Sequence, residues 1–321
     1  METIDITPRG DATPLGSILV PLDGSDASRE AIPYATALHV DRLVLLRVLG
    51  GDPMDEGGGA LDFFGSWRRD RIGEAEADLD RTMREYADGA RSVERAVRYG
   101  DAAEEIINAS EDFDLVAMSS KGRGTVGRGV FGSVADRVVR YGVRPTLVTR
   151  VDDTPITAAF PTRVMVPLDG SPLAERSIPL ATRLAAMTGV SLHLVRAVGM
   201  DEILATARRR RKDDPYDPTE MEEADPYEVA RKLTEDEAQA YLDATAARLR
   251  EAGYEVTTEM RGGTPAFELA WAAGSDDLVV ITSRGQGGRK RWMIGSVAEK
   301  LIRESEAPVV IVPIDRDDID G

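Results

Sequence analysis

Apolar residues along this chain fall into short continuous runs separated by longer amphipathic stretches, and the alternation persists from end to end. Runs such as "LVLLRV" from Leu43, "FDLVAM" from Phe113 and "DDLVVI" from Asp276 are too short and too rich in branched residues for helices, and read as buried strands. In the first half they predict strands near 17–22, 42–49, 92–98, 114–118 and 145–150, with helices near 27–38, 70–88, 101–111 and 132–141. The second half predicts strands near 163–168, 190–198, 254–260, 277–282 and 308–313, with helices near 173–188, 235–252, 264–274 and 295–304. Strands that alternate with helices this way form parallel sheets through crossover connections, so the fold class is α/β. Pro145 and Pro308 each open a last strand, where a missing N–H costs no ladder bond.

The two halves are copies. "ILVPLDGSDASREAIPYATAL" from Ile18 recurs as "VMVPLDGSPLAERSIPLATRL" from Val164, with Asp23 and Asp169 offset by 146 positions. "SSKGRGTVGRGVFGSVADRVVR" from Ser119 recurs as "TSRGQGGRKRWMIGSVAEKLIR" from Thr282, now offset by 163, so the second copy has gained 17 residues between its two motifs. Agreement in order and spacing at both motifs makes this an internal repeat. The boundaries expected are a flexible tail at 1–16, a first module at 17–150, a linker at 151–161, a second module at 162–314 and an acidic tail at 315–321. The added residues fall at about 200–233, in "MDEILATARRRRKDDPYDPTEMEEADPYEVARKL", where the basic cluster Arg208 to Lys212 precedes an acidic, proline-punctuated run. Its charge blocks read either as a solvated insertion or as a cover over a crevice at the strand C-termini. The shorter counterpart in the first copy, "GGDPMDEGGGALDFFGSW", carries Phe63, Phe64 and Trp67 as anchors to apolar surface.

Composition narrows the chemistry. A chain of 321 residues suits two domains of about 150 each. Forty basic against 57 acidic side chains leave a net charge of −17, which disfavours non-specific binding to nucleic acid or anionic membrane. The absence of cysteine excludes disulfides, thiolate metal sites and cysteine nucleophiles, and fits a cytoplasmic protein. No apolar run approaches the roughly 20 residues that span a bilayer, and the start "METIDITPRGDATP" does not read as a signal peptide.

The loops carry the candidate site. A glycine-rich loop entering a helix offers unpaired backbone N–H groups and the positive end of the helix dipole, both attractive to phosphate. Gly122, Gly132 and Ser133 correspond to Gly285, Gly295 and Ser296; glycine there permits positive φ and close approach, and the serine can cap the helix or bond a phosphate oxygen. Arg123, Arg128, Arg289, Lys290 and Arg291 add positive charge. Each copy also sets an aspartate, Asp23 or Asp169, at the end of its first strand. In a doubly wound sheet the first and fourth strands flank the crevice, so carboxylate and loop face one ligand, and a nucleotide fits that spacing. The alternative is two ordinary helix starts with tight-turn glycines. Neither loop is a P-loop, and no dinucleotide fingerprint follows the first strand.

These residues resemble the universal stress protein family in tandem, over almost all of 17–314. The resemblance rests on "ILVPLDGS" and "VMVPLDGS", on "LVLLRV" and "LHLVRA", and on "FGSVADRVVR" and "IGSVAEKLIR". The ATP-binding branch of that family has Gly, two residues, Gly, nine residues, then Gly-Ser or Gly-Thr. Gly122 with Gly132-Ser133 and Gly285 with Gly295-Ser296 match, whereas Ser119 and Thr282 stand where the first glycine would be. The resemblance implies that Asp23 and Asp169 contact a nucleoside, that Val48 and Ala197 offer backbone to adenine, and that the loops hold the phosphates of ATP, with or without Mg. It also implies a five-stranded parallel sheet per module in the order 3-2-1-4-5, helices on both faces, and modules paired through their last strands. A homodimer of the whole chain is left open.

The leading expectation is an ATP-binding stress-response regulator. The alternatives are a slow Mg-dependent ATPase or phosphotransferase, with Arg123 and Arg289 beside the phosphates, and a nucleotide-free interaction protein, which Ser119 and Thr282 favour. The two histidines, His39 and His193, do not occupy matching positions and read as structural or surface residues, so no catalytic constellation assembles.

Overall fold

The computed structural model describes residues 6–50, 61–86, 91–120, 131–150, 160–213, 225–284 and 294–314. The first half runs β1 (Ser17–Leu22), α1 (Asp26–Arg29), α2 (Ala31–Ala37), β2 (Arg42–Leu49), α3 (Leu61–Glu85), β3 (Ser92–Tyr99), α4 (Ala102–Ser110), β4 (Leu115–Ser119), α5 (Ser133–Tyr141) and β5 (Thr146–Thr149). The second runs β6 (Arg163–Pro167), α6 (Pro172–Glu175), α7 (Ile178–Thr188), β7 (Ser191–Val198), α8 (Met200–Asp213), α9 (Pro226–Glu251), β8 (Val256–Gly262), α10 (Pro265–Ala272), β9 (Asp277–Thr282), α11 (Ser296–Glu304) and β10 (Val309–Val312).

The strands form one ten-stranded sheet in the order β3-β2-β1-β4-β5-β10-β9-β6-β7-β8, so each half has the order 3-2-1-4-5 in its own numbering. Pairing is parallel within each half. It is antiparallel where β5 meets β10, with Leu147 opposite Val310, both buried. Among the described residues β3 and β8 are the edge strands, and β3 carries the mixed, half-exposed pattern that such a position tolerates.

Side chains alternate to the two faces of the sheet. On one face Val20, Leu45, Val166 and Leu194 pack with Ile32, Leu79, Leu184 and Leu242 in a single core that runs through both halves. On the other, Leu19, Leu46 and Met118 pack with Ile106 and Val138, while Met165, Val195 and Val279 pack with Leu269 and Leu301. Tyr34 of α2 meets Phe160, which precedes β6, edge to face at 5.0 Å.

Several elements differ from the sequence reading. The helices expected at 27–38 and 173–188 each break in two, because Pro33 and Pro179 lack an N–H and their rings crowd the carbonyls of Arg29 and Glu175, where α1 and α6 stop. The second-copy insertion is largely helical in its described part. The sequence reading left 200–213 without an element, but α8 turns Ile203 and Ala207 onto Val198, Ala230 and Ala238. Helix α9 starts nine residues before the expected 235, because Asp225 caps it by accepting from Tyr227 N at 3.0 Å and Pro226 takes the first turn. Helix α3 likewise starts at Leu61 and not near 70. The anchors Phe63, Phe64 and Trp67, the side chains of Arg210 to Lys212, the linker residues 151–159 and the tail 315–321 lie outside the described residues.

The expected flexible tail is corrected over its described part. Residues 6–15 lie along the second half: Arg9 N bonds Ala252 O at 2.9 Å, Tyr254 Oη donates to Thr7 O at 3.1 Å, and Arg183 Nε donates to Thr13 O at 2.9 Å. Leu15 enters the shared core at 1% exposure. A polar-looking segment is thus fixed by backbone bonds to the second half and by Ile6 and Leu15 against the core. Among the described residues no helix is long and apolar enough to cross a membrane.

Candidate functional site

Parallel strands deliver their last residues to one rim, and most of the predicted first-copy residues that are described gather there. Asp23 follows β1 directly. Its Oδ1 accepts from Ser25 N at 2.9 Å and from Ser25 Oγ at 2.5 Å, closing a turn in which Gly24 has φ of +82°. Ser25 Oγ then accepts from Ser28 N at 3.2 Å to cap α1. Asp-Gly-Ser is therefore a rigid presentation of a carboxylate, in keeping with the tolerance of glycine for the left-handed region.

Across the rim, Ser119 ends β4 and Gly132 caps α5. Ser120 N bonds Thr149 O at 2.7 Å and Gly132 N bonds Ser120 O at 2.8 Å, so the ends of the loop are pinned to the sheet. A cleft of about 150 Å³ lies between these parts. It is lined by Asp23, Val48, Ser119, Gly132 and Ser133, with Leu46, Ile106 and Met118 as apolar neighbours. One polar wall, one apolar wall and the first turn of α5 share one space.

The second copy repeats the construction. Asp169 Oδ1 accepts from Ser171 N at 2.9 Å and from Ser171 Oγ at 2.6 Å, and Gly170 again has φ of +82°. Ser283 N bonds Val312 O at 2.8 Å and Gly295 N bonds Ser283 O at 2.8 Å. Ala197 near the end of β7, Thr282 at the end of β9, and Gly295 with Ser296 at the start of α11 take the topological positions of Val48, Ser119, Gly132 and Ser133.

Two expectations about the loops are corrected. Gly132 and Gly295 have φ of −65° and −63°, ordinary extended values, so positive φ is not what these positions use. They are themselves the N-caps, with no side-chain cap bond, so Ser133 and Ser296 do not cap their helices. Thr282 Oγ1 donates to Arg284 O at 2.6 Å, so the hydroxyl replacing the first glycine bonds the loop's own backbone. Gly122, Arg123 and Gly285, together with Arg128, Arg289, Lys290 and Arg291, lie outside the described residues.

Three arginines were missed. Arg47 and Arg196 occupy the same place in β2 and β7, and their guanidinium groups lie against Gly24 and Gly170: a Cβ there would come within 2.4 Å of Arg47 Nη1 and 2.9 Å of Arg196 Nη1. The signal was present as a lone arginine in "LVLLRV" and "LHLVRA", at one position in both copies. Arg284 is buried at the entry to the second loop, and burial holds its guanidinium below the usual arginine range. His193 lies under the second half, with Nδ1 2.8 Å from Thr257 Oγ1 and Nε2 3.0 Å from Glu259, away from the rim.

The model of the universal stress protein family matches residues 15–150 and again 161–313. The chain belongs to this family. A universal stress protein of Mycobacterium tuberculosis is 26% identical over 289 residues, which cover 89% of each chain. Among solved structures, a universal stress protein of Archaeoglobus fulgidus superposes with a TM-score of 0.64 at 20% identity, covering 92% of this chain and 98% of its own. One from Pseudomonas aeruginosa gives 0.59 at 16% identity, covering 95% of each. The chain is thus a universal stress protein with two modules, and all three similar proteins are matched over most of their own length.

Proposed function

We propose that this tandem universal stress protein is a stress-response regulator that binds ATP at the strand rim of each module. The observation that carries the reading is the first-module cleft, where Asp23, Val48, Ser119, Gly132 and Ser133 come from three strands and a helix start to line one space. In this reading Asp23 accepts from the nucleoside, the backbone at Val48 meets the base edge, and the first turn of α5 faces the phosphates, where N–H groups and the helix dipole favour anions. Gly122 and Arg123 complete the phosphate side. Asp169, Ala197, Thr282, Gly285, Gly295 and Ser296 form the second site. Magnesium accompanying the nucleotide would neutralise phosphate charge beside the first turns of α5 and α11.

The modules are taken as 17–150 and 162–314, joined at 151–161 and paired through β5 and β10 as an internal pseudo-dimer. Occupancy then biases the conformation that partners meet. Titration calorimetry with ATP, ADP, AMP and cyclic AMP tests the reading. Two sites for ATP, with Asp23→Ala and Asp169→Ala each removing one, is the expected outcome. No affinity for any of the four up to millimolar concentration would refute it.

A further inference from the structure

The turn that presents Asp169 is backed by a buried cation held from the inserted helix. Arg196 is at 8% exposure, and its guanidinium lies flat against Gly170, with Nη1, Cζ and Nη2 at 2.9, 3.3 and 3.5 Å from where a Cβ would be. Nη2 donates to Glu202 Oε1 at 2.5 Å, and Glu202 lies in the first turn of α8. The guanidinium carbon stands 5.4 Å from the centroid of Tyr241 in α9. Tyr241 Oη in turn donates to Glu175 Oε1 at 2.9 Å, and Arg248 approaches Glu175 at 3.5 Å.

The first copy differs at two of these positions. Arg47 Nη1 donates to the backbone at Leu22 O, at 3.4 Å. The repeat places Asp78 where the second copy has Tyr241 and Arg29 where it has Glu175, and these two pair at 2.8 Å. Glu202 lies in the stretch where the second copy is longer. In the second module the Asp169 turn is thus tied to α8 through Arg196 and Glu202.

We propose that Arg196 is a positioning residue for the Asp169–Gly170–Ser171 turn, and that Glu202 makes the second site's nucleotide affinity dependent on the docking of α8. The proposal rests on the second module being a nucleotide site. A guanidinium that fills the space beside Gly170 fixes the turn only while something holds the guanidinium. Glu202 does so through a charge-assisted hydrogen bond, and Tyr241 through its ring face. Freeing Arg196 loosens the turn, and the Asp169 carboxylate loses its fixed direction. Linkage makes the effect reciprocal: a nucleotide on Asp169 tightens α8, and whatever lifts α8 weakens the nucleotide.

The test uses the full chain and ATP, with one module silenced at a time. In the Asp23→Ala background, Glu202→Ala weakens ATP by about tenfold, within the usual range of coupling between sites. Glu202→Gln, which keeps an acceptor oxygen, restores most of the affinity. In the Asp169→Ala background the same changes leave ATP affinity unaltered. Hydrogen exchange in residues 200–209 slows when ATP is added to the Asp23→Ala protein. A lowered melting temperature with unchanged ATP affinity in Glu202→Ala would overturn the proposal, since a merely structural pair behaves that way. Loss of all second-module binding in Asp23→Ala alone would instead overturn the second site itself, and the proposal with it.

Discussion

Replacing Gly170 by alanine puts the packing of the second-module turn to a quantitative test, because the chain supplies its own control. Gly170 has φ of +82° and Gly189, after α7, has φ of +76°, so an alanine pays a similar backbone cost at either, about 1–2 kcal/mol. Reduced freedom of the unfolded chain returns about 0.4–1 kcal/mol at both. The surroundings differ. A Cβ at Gly189 meets nothing within 4 Å, whereas at Gly170 it comes within 2.9 Å of Arg196 Nη1. The guanidinium must shift, and its charged bond to Glu202, of a kind with a net contribution of about 1.5–3 kcal/mol, is strained or lost. Gly189→Ala should therefore cost about 0.5–1 kcal/mol and Gly170→Ala about 2–3 kcal/mol. Urea unfolding followed by circular dichroism reads both, and repeating the pair in an Arg196→Ala background should erase the excess. Equal costs for the two alanines, or an excess that survives loss of Arg196, would refute the packing argument.

Other consequences follow from single contacts. Leu15→Ala, at 1% exposure in the shared core, should destabilise by about 2–5 kcal/mol, and deleting residues 1–13 should release the Arg9 and Arg183 bonds and speed exchange at the end of α9. Burial, with help from the Arg163 charge, keeps the His193 pKa below its ordinary value against the pull of Glu259. The unfolded chain therefore takes up the proton first as pH falls below about 6.5, and stability drops until the native imidazole protonates. His193→Val, the residue of the first copy at Val44, should flatten that decline in denaturation curves between pH 7.5 and 5.5. Phe267 and Trp271 stand exposed where the first copy has Glu104 and Asn108. Phe267→Glu with Trp271→Asn should change stability by less than about 0.5 kcal/mol, since Lys300, now over Phe267 at 3.6 Å, can pair with the new carboxylate as Arg137 does with Glu104.

What could be read before the structure was set by how local the physics is. Most of the described strands announce themselves through short branched apolar runs, while β3 and β8 are mixed; the sheet order was legible through the family resemblance, and the rim location of Asp23 and Gly132 through their places after the first and fourth strands. The breaks at Pro33 and Pro179 follow a local rule but were hidden inside amphipathic patterns that continue across them. Helix α8 was obscured because its arginines and acids dominate the composition, while among its described residues Ile203 and Ala207 carry its apolar packing. The anchoring of residues 6–15 was not legible, since it depends on the Thr13 carbonyl meeting Arg183 and the Arg9 N–H meeting the Ala252 carbonyl, far away in sequence. Arg47 and Arg196 were visible as a repeated arginine in an apolar strand, but their role depends on a glycine in another strand's turn.

The decisive measurement on function is the amount of adenine nucleotide released when freshly purified protein is denatured, compared among the natural chain, Asp23→Ala and Asp169→Ala. Nearly two ATP per natural chain and one in each variant is the result predicted for two working rims. Nucleotide in the natural chain that neither substitution diminishes would contradict the assignment of the site, and no nucleotide by release and none by titration would contradict the function.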